Sequence, residues 1–430
     1  MLLLLVGLAR GAGPETSVCE TPDALRALAG AADPTHPNML QPPSGFGSPG
    51  PRMMVADKQP YGAPYPQHRL TKNFSINWTQ SDLPEPAVNL VEEALELAWT
   101  RLIEEQGWPA PVSSDEYLVW VVLDETMEGT GFTTEYYSEE YPYPLGYPVV
   151  YINPTWFTSP AFYRGLVVHE FMHAIQYEMR EWEEGEEEQT WYWEASANMA
   201  PELVESSWDG HHYTSAWYAD NAHERYDTFI GAHQYGMYVL NAHLEDTLGP
   251  GTMLEIWEAG RTDSTALWDN LMRQATGLPP EEIFGGFSGR YANGTLPESS
   301  FYAFVTPMGT LLEGSSSTSS YLGSEFWEVS ADTWVKAEGR VVLGNARGES
   351  GDEVQAFAGE MVSVTGLAQD TQYQLTLAEG PTPEPEPEPV DQVEGCGCGQ
   401  VPAPVSLWLL PLVGGLLLLR RRAVTHPVTH

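Results

Sequence analysis

His169-Glu170-Phe171-Met172-His173 is the stretch that decides how this chain is read. Two histidines four residues apart stand on one face of a helix, so two imidazole nitrogens can meet one zinc ion. The glutamate after the first histidine is then close enough to take a proton from a zinc-bound water. An ordinary amphipathic helix with a few polar residues would contain the same pentapeptide. The flanks argue against it. Ser159-Pro160 reads as a helix start, serine at the N-cap and proline at the first helical position. Leu166, Val167, Val168, Phe171, Met172 and Ile175 surround the histidines with apolar side chains. Imidazoles buried in such a setting need a polar partner, and zinc is the best candidate.

Catalytic zinc sites usually keep three protein ligands and leave one position for water, so a third ligand is expected downstream. The helix is followed by Glu181-Trp-Glu-Glu-Gly-Glu-Glu-Glu188, a solvated acidic loop on composition. Thr190-Trp-Tyr-Trp-Glu-Ala-Ser-Ala-Asn-Met-Ala200 then reads as a second helix, with Glu194 on its first turns. A carboxylate there also suits the helix dipole without any metal. Its place after a complete zinc-binding pentapeptide makes Glu194 the expected third ligand. Asn198, one turn on, is either a hydrogen-bond partner for a ligand histidine or a plain surface asparagine.

His169-Glu-Phe-Met-His-Ala-Ile-Gln-Tyr177 followed by Trp193-Glu-Ala-Ser-Ala197 resembles the zincins of the glutamate-ligand branch, to which thermolysin belongs. It is more closely similar to a family of secreted metallopeptidases found in myxobacteria and related bacteria. The upstream order fits too: Phe74-Ser-Ile-Asn-Trp78, a helix, Tyr117 to Leu123, then Val149 to Ile152. The likeness spans residues 70 to 300 and is specific at the two helices. It implies His169, His173 and Glu194 as zinc ligands and Glu170 as general base. Enzymes of this branch also use a distant histidine to steady the tetrahedral intermediate. His211, His212, His223, His233 and Tyr235 are the candidates for that part.

The fold class expected is α+β. A zincin-like catalytic domain over 69–314, made of a small sheet, the active-site helix and a mainly helical lobe, precedes a small β-sandwich-like domain over 321–378. Phe74 to Trp78 alternates like a strand. Pro86 opens a helix with Val88, Val91, Leu95, Ala98, Leu102 and Ile103 at helical spacing. Tyr117 to Leu123 is a buried strand by its continuous apolar run, and Val149 to Ile152 is another, placed where zincins align an extended peptide on an edge strand. Gly129 to Gly146, rich in tyrosine, glycine and acid, is expected as a loop over the cleft. Tyr235 to Leu244 and Met253 to Trp257 read as amphipathic helices. Leu278 to Tyr291 reads as a helical stretch broken at Gly285-Gly286. Ser315 to Ser320 marks a boundary, after which Val341 to Leu343, Met361 to Thr365 and Tyr373 to Leu377 read as strands. The small domain either binds substrate or surface glycan, or serves as a packing and spacing module.

The 430 residues carry 60 acidic and 19 basic side chains, a formal charge of −41. Nucleic acid is thereby a poor partner, because phosphate binding needs a basic surface. So much acid suits solubility outside the cell. No EF-hand spacing is present for calcium, and carboxylate clusters alone do not establish it. Three cysteines provide no disulfide framework for a core. Thr16-Ser-Val-Cys19 is a poor lipobox.

The ends carry export features. Met1 to Ala9 looks like the apolar core of a signal peptide, taken as residues 1–18, without the usual basic region before it. Residues 19–68, rich in proline and glycine, read as a linker or propeptide-like segment in which Ala24 to Leu28 is the one helical hint. Residues 379–394 hold a Pro-Glu repeat, a stiff charged spacer. Residues 395–422 join Gly395-Cys-Gly-Cys-Gly399, the apolar run Val405 to Leu419 and Arg420-Arg-Arg422. The run is short for a stable membrane span. Its order resembles a myxobacterial C-terminal sorting signal, which implies processing machinery as a partner and delivery to the cell surface or medium. A tail-anchored membrane protein is the alternative.

Two function classes follow. One is a secreted zinc metallopeptidase acting on extended peptide or protein substrates. The other is a surface adhesion or structural protein on the same scaffold without useful turnover. For the tail, the expected outcome is a mature extracellular protein that ends near Cys396–Cys398 and lacks Trp408 to Arg422. Mass spectrometry of protein from the native surface or medium checks this, and peptides spanning Leu407 to Arg420 in that fraction would support a permanent anchor instead.

Overall fold

The computed structural model describes residues 65–378, apart from 113, 116, 128, 137–146, 180–186, 229, 264 and 265. The expected signal peptide, nearly all of the 19–68 segment, the Pro-Glu spacer and the sorting tail lie outside the described residues, as does most of the acidic loop at 181–188. No helix among the described residues is long and apolar enough to cross a membrane. The fold is mixed α and β, with one sheet and a set of helices followed by two further sheets.

The first sheet has strands β1 (Gln67–Leu70), β2 (Phe74–Trp78), β3 (Val119–Leu123), β4 (Gly131–Tyr136) and β5 (Tyr147–Ile152), in the order β1-β2-β3-β5-β4. The three central strands are parallel, with Phe74 opposite Val119 and Trp120 opposite Val149. Every residue of β3 and β5 is buried. Strands covered on both faces read as continuous apolar runs, which is why the sequence reveals them. Alternate residues serve opposite faces. Val119, Val121 and Leu123 join the main core under the helices, while Trp120 and Val122 pack with Tyr65, Tyr147 and Tyr151 on the other side.

The edge position differs from the sequence expectation. Val149 to Ile152 lies inside the sheet, and β4, which runs antiparallel to β5, is the edge. Residues 131–136 are thus a strand rather than part of a loop. The glycine and threonines that hide β4 in the sequence suit a strand paired on one side only.

Helix α1 (Glu85–Ala98) buries Val88, Val91, Leu95 and Ala98 and continues as a π-helical run, Trp99–Glu105. Helix α2 (Pro160–Glu178) carries the pentapeptide. Ser159 holds the N-cap position in extended conformation without a side-chain cap bond, so proline sets this start more than serine does. From Gly165 to Tyr177 every residue of α2 is buried. A helix apolar nearly all round is a central helix, covered by the sheet on one side and by helix α3 (Glu187–Val204) on the other. Helices α4 (Tyr238–Leu248), α5 (Thr252–Thr262), α6 (Trp268–Thr276) and α7 (Pro280–Ala292) complete the lobe.

The remaining chain forms two facing sheets. One holds β6 (Gly309–Thr310), β8 (Ser324–Glu328), β10 (Val341–Gly344), β11 (Ser350–Gly351) and β13 (Met361–Gly366). The other holds β7 (Ser316–Ser319), β9 (Thr333–Gly339), β12 (Glu353–Ala356) and β14 (Thr371–Ala378). Val335, Leu343, Val354, Val362, Val364 and Leu375 fill the space between them. The serine-rich stretch expected as a boundary is itself strand β7, and the sheets begin upstream of residue 321.

Gly285 and Gly286 do not break α7. They let it touch the sandwich. A Cβ on Gly285 would lie 2.9 Å from the Ser350 Cβ, and one on Gly286 would lie 2.9 Å from the Gly348 carbonyl oxygen. One turn on, a Cβ on Gly289 would come within 2.4 Å of the Asn345 carbonyl oxygen. Helix and strand therefore meet backbone to backbone, and Asn293 at the helix end bonds both the amide and the carbonyl of Met361 at 2.7 Å. Gly289→Ala is expected to destabilise the protein by about 2–3 kcal/mol, through overpacking against main chain that cannot yield. Gly165→Ala, where the nearest atom to a new Cβ is 3.9 Å away, is the control. It should be neutral or stabilising by up to about 1 kcal/mol, the helix-propensity gain. Urea unfolding of both variants measures the contrast.

Candidate metal centre

The helical repeat brings His169 and His173 to one face of α2, with rings nearly perpendicular and centroids 4.7 Å apart. Their Nε2 atoms face each other at 3.1 Å. Glu194 reaches across from α3, with Oε2 3.3 Å from the His169 Nε2 and Oε1 3.5 Å from the His173 Nε2. His173 and Glu194 are fully buried, and His169 is 4% exposed. The three residues expected as ligands therefore converge on one point.

The tautomers are set by the surroundings. The Gln176 amide nitrogen donates to the Trp193 carbonyl at 3.0 Å and to Ser196 Oγ at 2.9 Å. Its Oε1 is left to accept from His173 Nδ1 at 2.6 Å. The Asn198 amide nitrogen donates to the Tyr235 carbonyl at 3.0 Å and to Thr214 Oγ1 at 3.3 Å, leaving Oδ1 for His169 Nδ1 at 2.8 Å. Both Nδ1 atoms thus carry protons, and both Nε2 lone pairs point into the same gap. Asn198 holds the hydrogen-bonding position that the sequence left open. Gln176 was not singled out there, although its place three residues after His173 puts it on the same helix face.

Two imidazole nitrogens and a carboxylate at this range need positive charge, either on the rings or between them. Neither Glu194 oxygen accepts a hydrogen bond among the described residues. Burial alone would raise the Glu194 pKa, but the two histidines reverse the effect and hold it near about 2, so the group is an anion at neutral pH. Burial lowers His173, and the facing Glu194 carboxylate outweighs it and leaves His173 raised. A cation in the gap would be held by this charge. Separations of 3.1 to 3.5 Å also match the edge of a tetrahedron with zinc bond lengths, about 3.3 Å. The residues present fit a zinc ion in donor set, charge and spacing.

Glu170 is fully buried beside this gap. Its Oε2 lies 3.0 Å from the hydroxyl of Thr133 on β4, and its backbone oxygen lies 2.7 Å from the same hydroxyl. A Cβ on Gly131 would come within 2.9 Å of the Glu170 Oε1, so a larger residue on the edge strand would push this carboxylate out of its place. Gly131 and Thr133 shape the site and were hidden in the stretch expected as a loop.

A cleft opens at His169, walled by Phe162, Leu166, Tyr213, Thr214, Trp217 and Tyr235. The candidates for steadying an intermediate separate here. The Tyr235 ring lies 6.2 Å from that of His169 and lines the cleft. His233 is buried away from it, stacked on Tyr218 at 5.7 Å, and burial lowers its pKa to about 4. His223 is exposed beside Glu224. His212 pairs with Glu202 and Glu298. His211 lies in the short helix Asp209–Thr214, with its side chain outside what the structure describes.

No family model matches the chain, and no curated protein shows significant similarity to it. The centre therefore stands on its own geometry. His169→Ala and His173→Ala are expected to abolish zinc binding, and Glu194→Ala to weaken it strongly. Gln176→Ala and Asn198→Ala should each cost about 10–100-fold in zinc affinity, since they release a histidine that is otherwise held. Competition against a chromophoric chelator gives the affinities. Near-stoichiometric zinc retained by the Glu194 variant would move the third ligand elsewhere.

Proposed function

We propose that this chain is a zinc-dependent metallopeptidase, exported to the cell surface or medium, whose residues 69–314 form a zincin-like catalytic domain. The observation that supports this best is the convergence of two imidazole Nε2 atoms and one buried carboxylate, 3.1 to 3.5 Å apart, with a second buried carboxylate, Glu170, on the same helix as the histidines. His169, His173 and Glu194 would hold the ion. Zinc bound there would acidify water and polarise a peptide carbonyl.

The protein's own groups would do the rest. Among the described residues β4 is the outermost strand of its sheet, directly beside Glu170, and an extended substrate can lie along it. Glu170 takes one proton from the attacking water, whose oxygen adds to the carbonyl carbon. Glu170 then delivers that proton to the amide nitrogen as the carbon–nitrogen bond breaks, which returns it to the carboxylate. The proton is neither gained nor lost over the cycle. Tyr235, on the cleft wall, is the group best placed to donate to the carbonyl oxygen as it gains negative charge.

Glu170→Gln is the decisive variant. It removes a proton acceptor without changing shape, so zinc content and the unfolding midpoint should stay at wild-type values. Casein digestion should fall by about 10²–10⁴-fold. Digestion at the wild-type rate by that variant would refute the role of Glu170. A zinc-loaded wild-type protein with no hydrolysis of any peptide library would favour the adhesion or structural reading.

A further inference from the structure

A second group of metal-ligating side chains converges away from the first centre. Glu202 lies on the last turn of α3, His212 in the short helix Asp209–Thr214, and Glu298 just before the turn Ser299–Phe301. Three elements, the third distant in sequence from the other two, thus meet at one imidazole nitrogen. His212 Nε2 lies 2.5 Å from Glu202 Oε1 and 3.2 Å from Glu298 Oε2. His212 is only 4% exposed and stacks flat on Phe301, with ring centroids 5.0 Å apart. The Glu298 Oε2 is buried, and burial together with the neighbouring Glu202 carboxylate raises the Glu298 pKa to about 7, so the two carboxylates are crowded without a cation between them.

We propose that Glu202, His212 and Glu298 form a second divalent-metal site that takes zinc. One imidazole nitrogen and two carboxylate oxygens are a zinc donor set, and with the imidazole neutral their charge balances a divalent ion. Calcium and magnesium prefer oxygen alone, so the histidine selects against them. In a chain with 60 acidic and 19 basic residues, side-chain cations to balance paired carboxylates are scarce. Entry of the ion takes the place of the proton on His212 Nε2, the ring keeping one proton on Nδ1, and any proton shared by the two carboxylates leaves to solvent, so that the Nε2–Glu202 hydrogen bond gives way to metal bonds from both groups. Glu298, with its side chain 31% exposed, provides the way in.

The site would act as a brace for the first centre. Tyr213 and Thr214, which follow His212 directly, line the cleft. Thr214 accepts from Asn198, and Asn198 holds His169. An ion on His212 would tie this wall to α3 and to the chain entering the sandwich.

The test counts metal. Full-length protein is stripped with chelator, reloaded with zinc, passed through metal-free gel filtration and assayed by mass spectrometry of the element. Two zinc ions per chain are expected, falling to one in His212→Gln, in Glu298→Gln and in His169→Ala. Glu298→Gln sits at a partly exposed position, so it keeps the test open if His212→Gln does not fold. A single zinc that both of these variants retain and His169→Ala loses would overturn the proposal. The three residues would then be sharing protons instead. A single zinc lost in His212→Gln yet kept in His169→Ala would uphold this site and refute the first. Cobalt loaded into the His169→Ala protein adds a readout independent of activity, since a visible absorption band lost on His212→Gln reports this site alone.

Discussion

Two helices meet across a gap that neither fills with hydrocarbon, and most of the lobe is arranged around that fact. Helix α2 presents His169, His173 and Gln176 to the gap, and α3 answers with Glu194, Ser196 and Asn198. Buried polar groups are costly unless each finds a partner, and a charge more so. The solution here is a closed set of hydrogen bonds at the rear, with lone pairs and one anion left facing inward. Gln176 is its hinge, since it orients His173 and fastens α2 to α3 through Trp193 and Ser196. Ser196 in turn accepts from Trp257 at 3.2 Å.

An aromatic shell keeps the arrangement dry. Trp193 stacks over His173, with centroids 6.5 Å apart, and meets Tyr177 and Trp257 edge-on. Trp191 packs against Trp268 at 4.9 Å. Large flat side chains exclude water over a wide area with few rotatable bonds. Low polarity around the gap strengthens every charge interaction inside it. The tryptophans around Glu194 that stand out in the sequence thus have a physical task at the site itself.

The site was more legible than the fold around it. His169, Glu170 and His173 declare themselves because a helix face encodes their geometry in spacing alone, and Glu194 follows from the need for a third ligand. Strands β3 and β5 were visible as apolar runs. What escaped depends on distant partners. Glycine at 285 and 286 reads as a break until β10 and the turn beyond it, more than fifty residues later, are seen to lie against the helix. The serine-rich stretch over 315–320 reads as a boundary because the strand character of 316–319 comes from pairing with β14, Ser319 opposite Thr371. Strand β4 has one neighbour among the described residues and little apolar pattern. The meeting of Glu202, His212 and Glu298 is likewise a product of the tertiary fold, with no local signature.

The placing of β14 bears on mechanics. It is the last described strand, and residue 378 is where the chain continues toward the Pro-Glu segment. Yet β14 lies inside its sheet, laddered to β7 on one side and β9 on the other. Its last four residues pair with β9 alone and the ladder to β7 begins at Gln374, so a pull arriving along the chain at that residue meets one ladder before it reaches two. The facing sheet passes the strain on to α7 through glycine contacts that have no side chain to flex. The sandwich and the helical lobe therefore meet as a stiff joint, with little give between them.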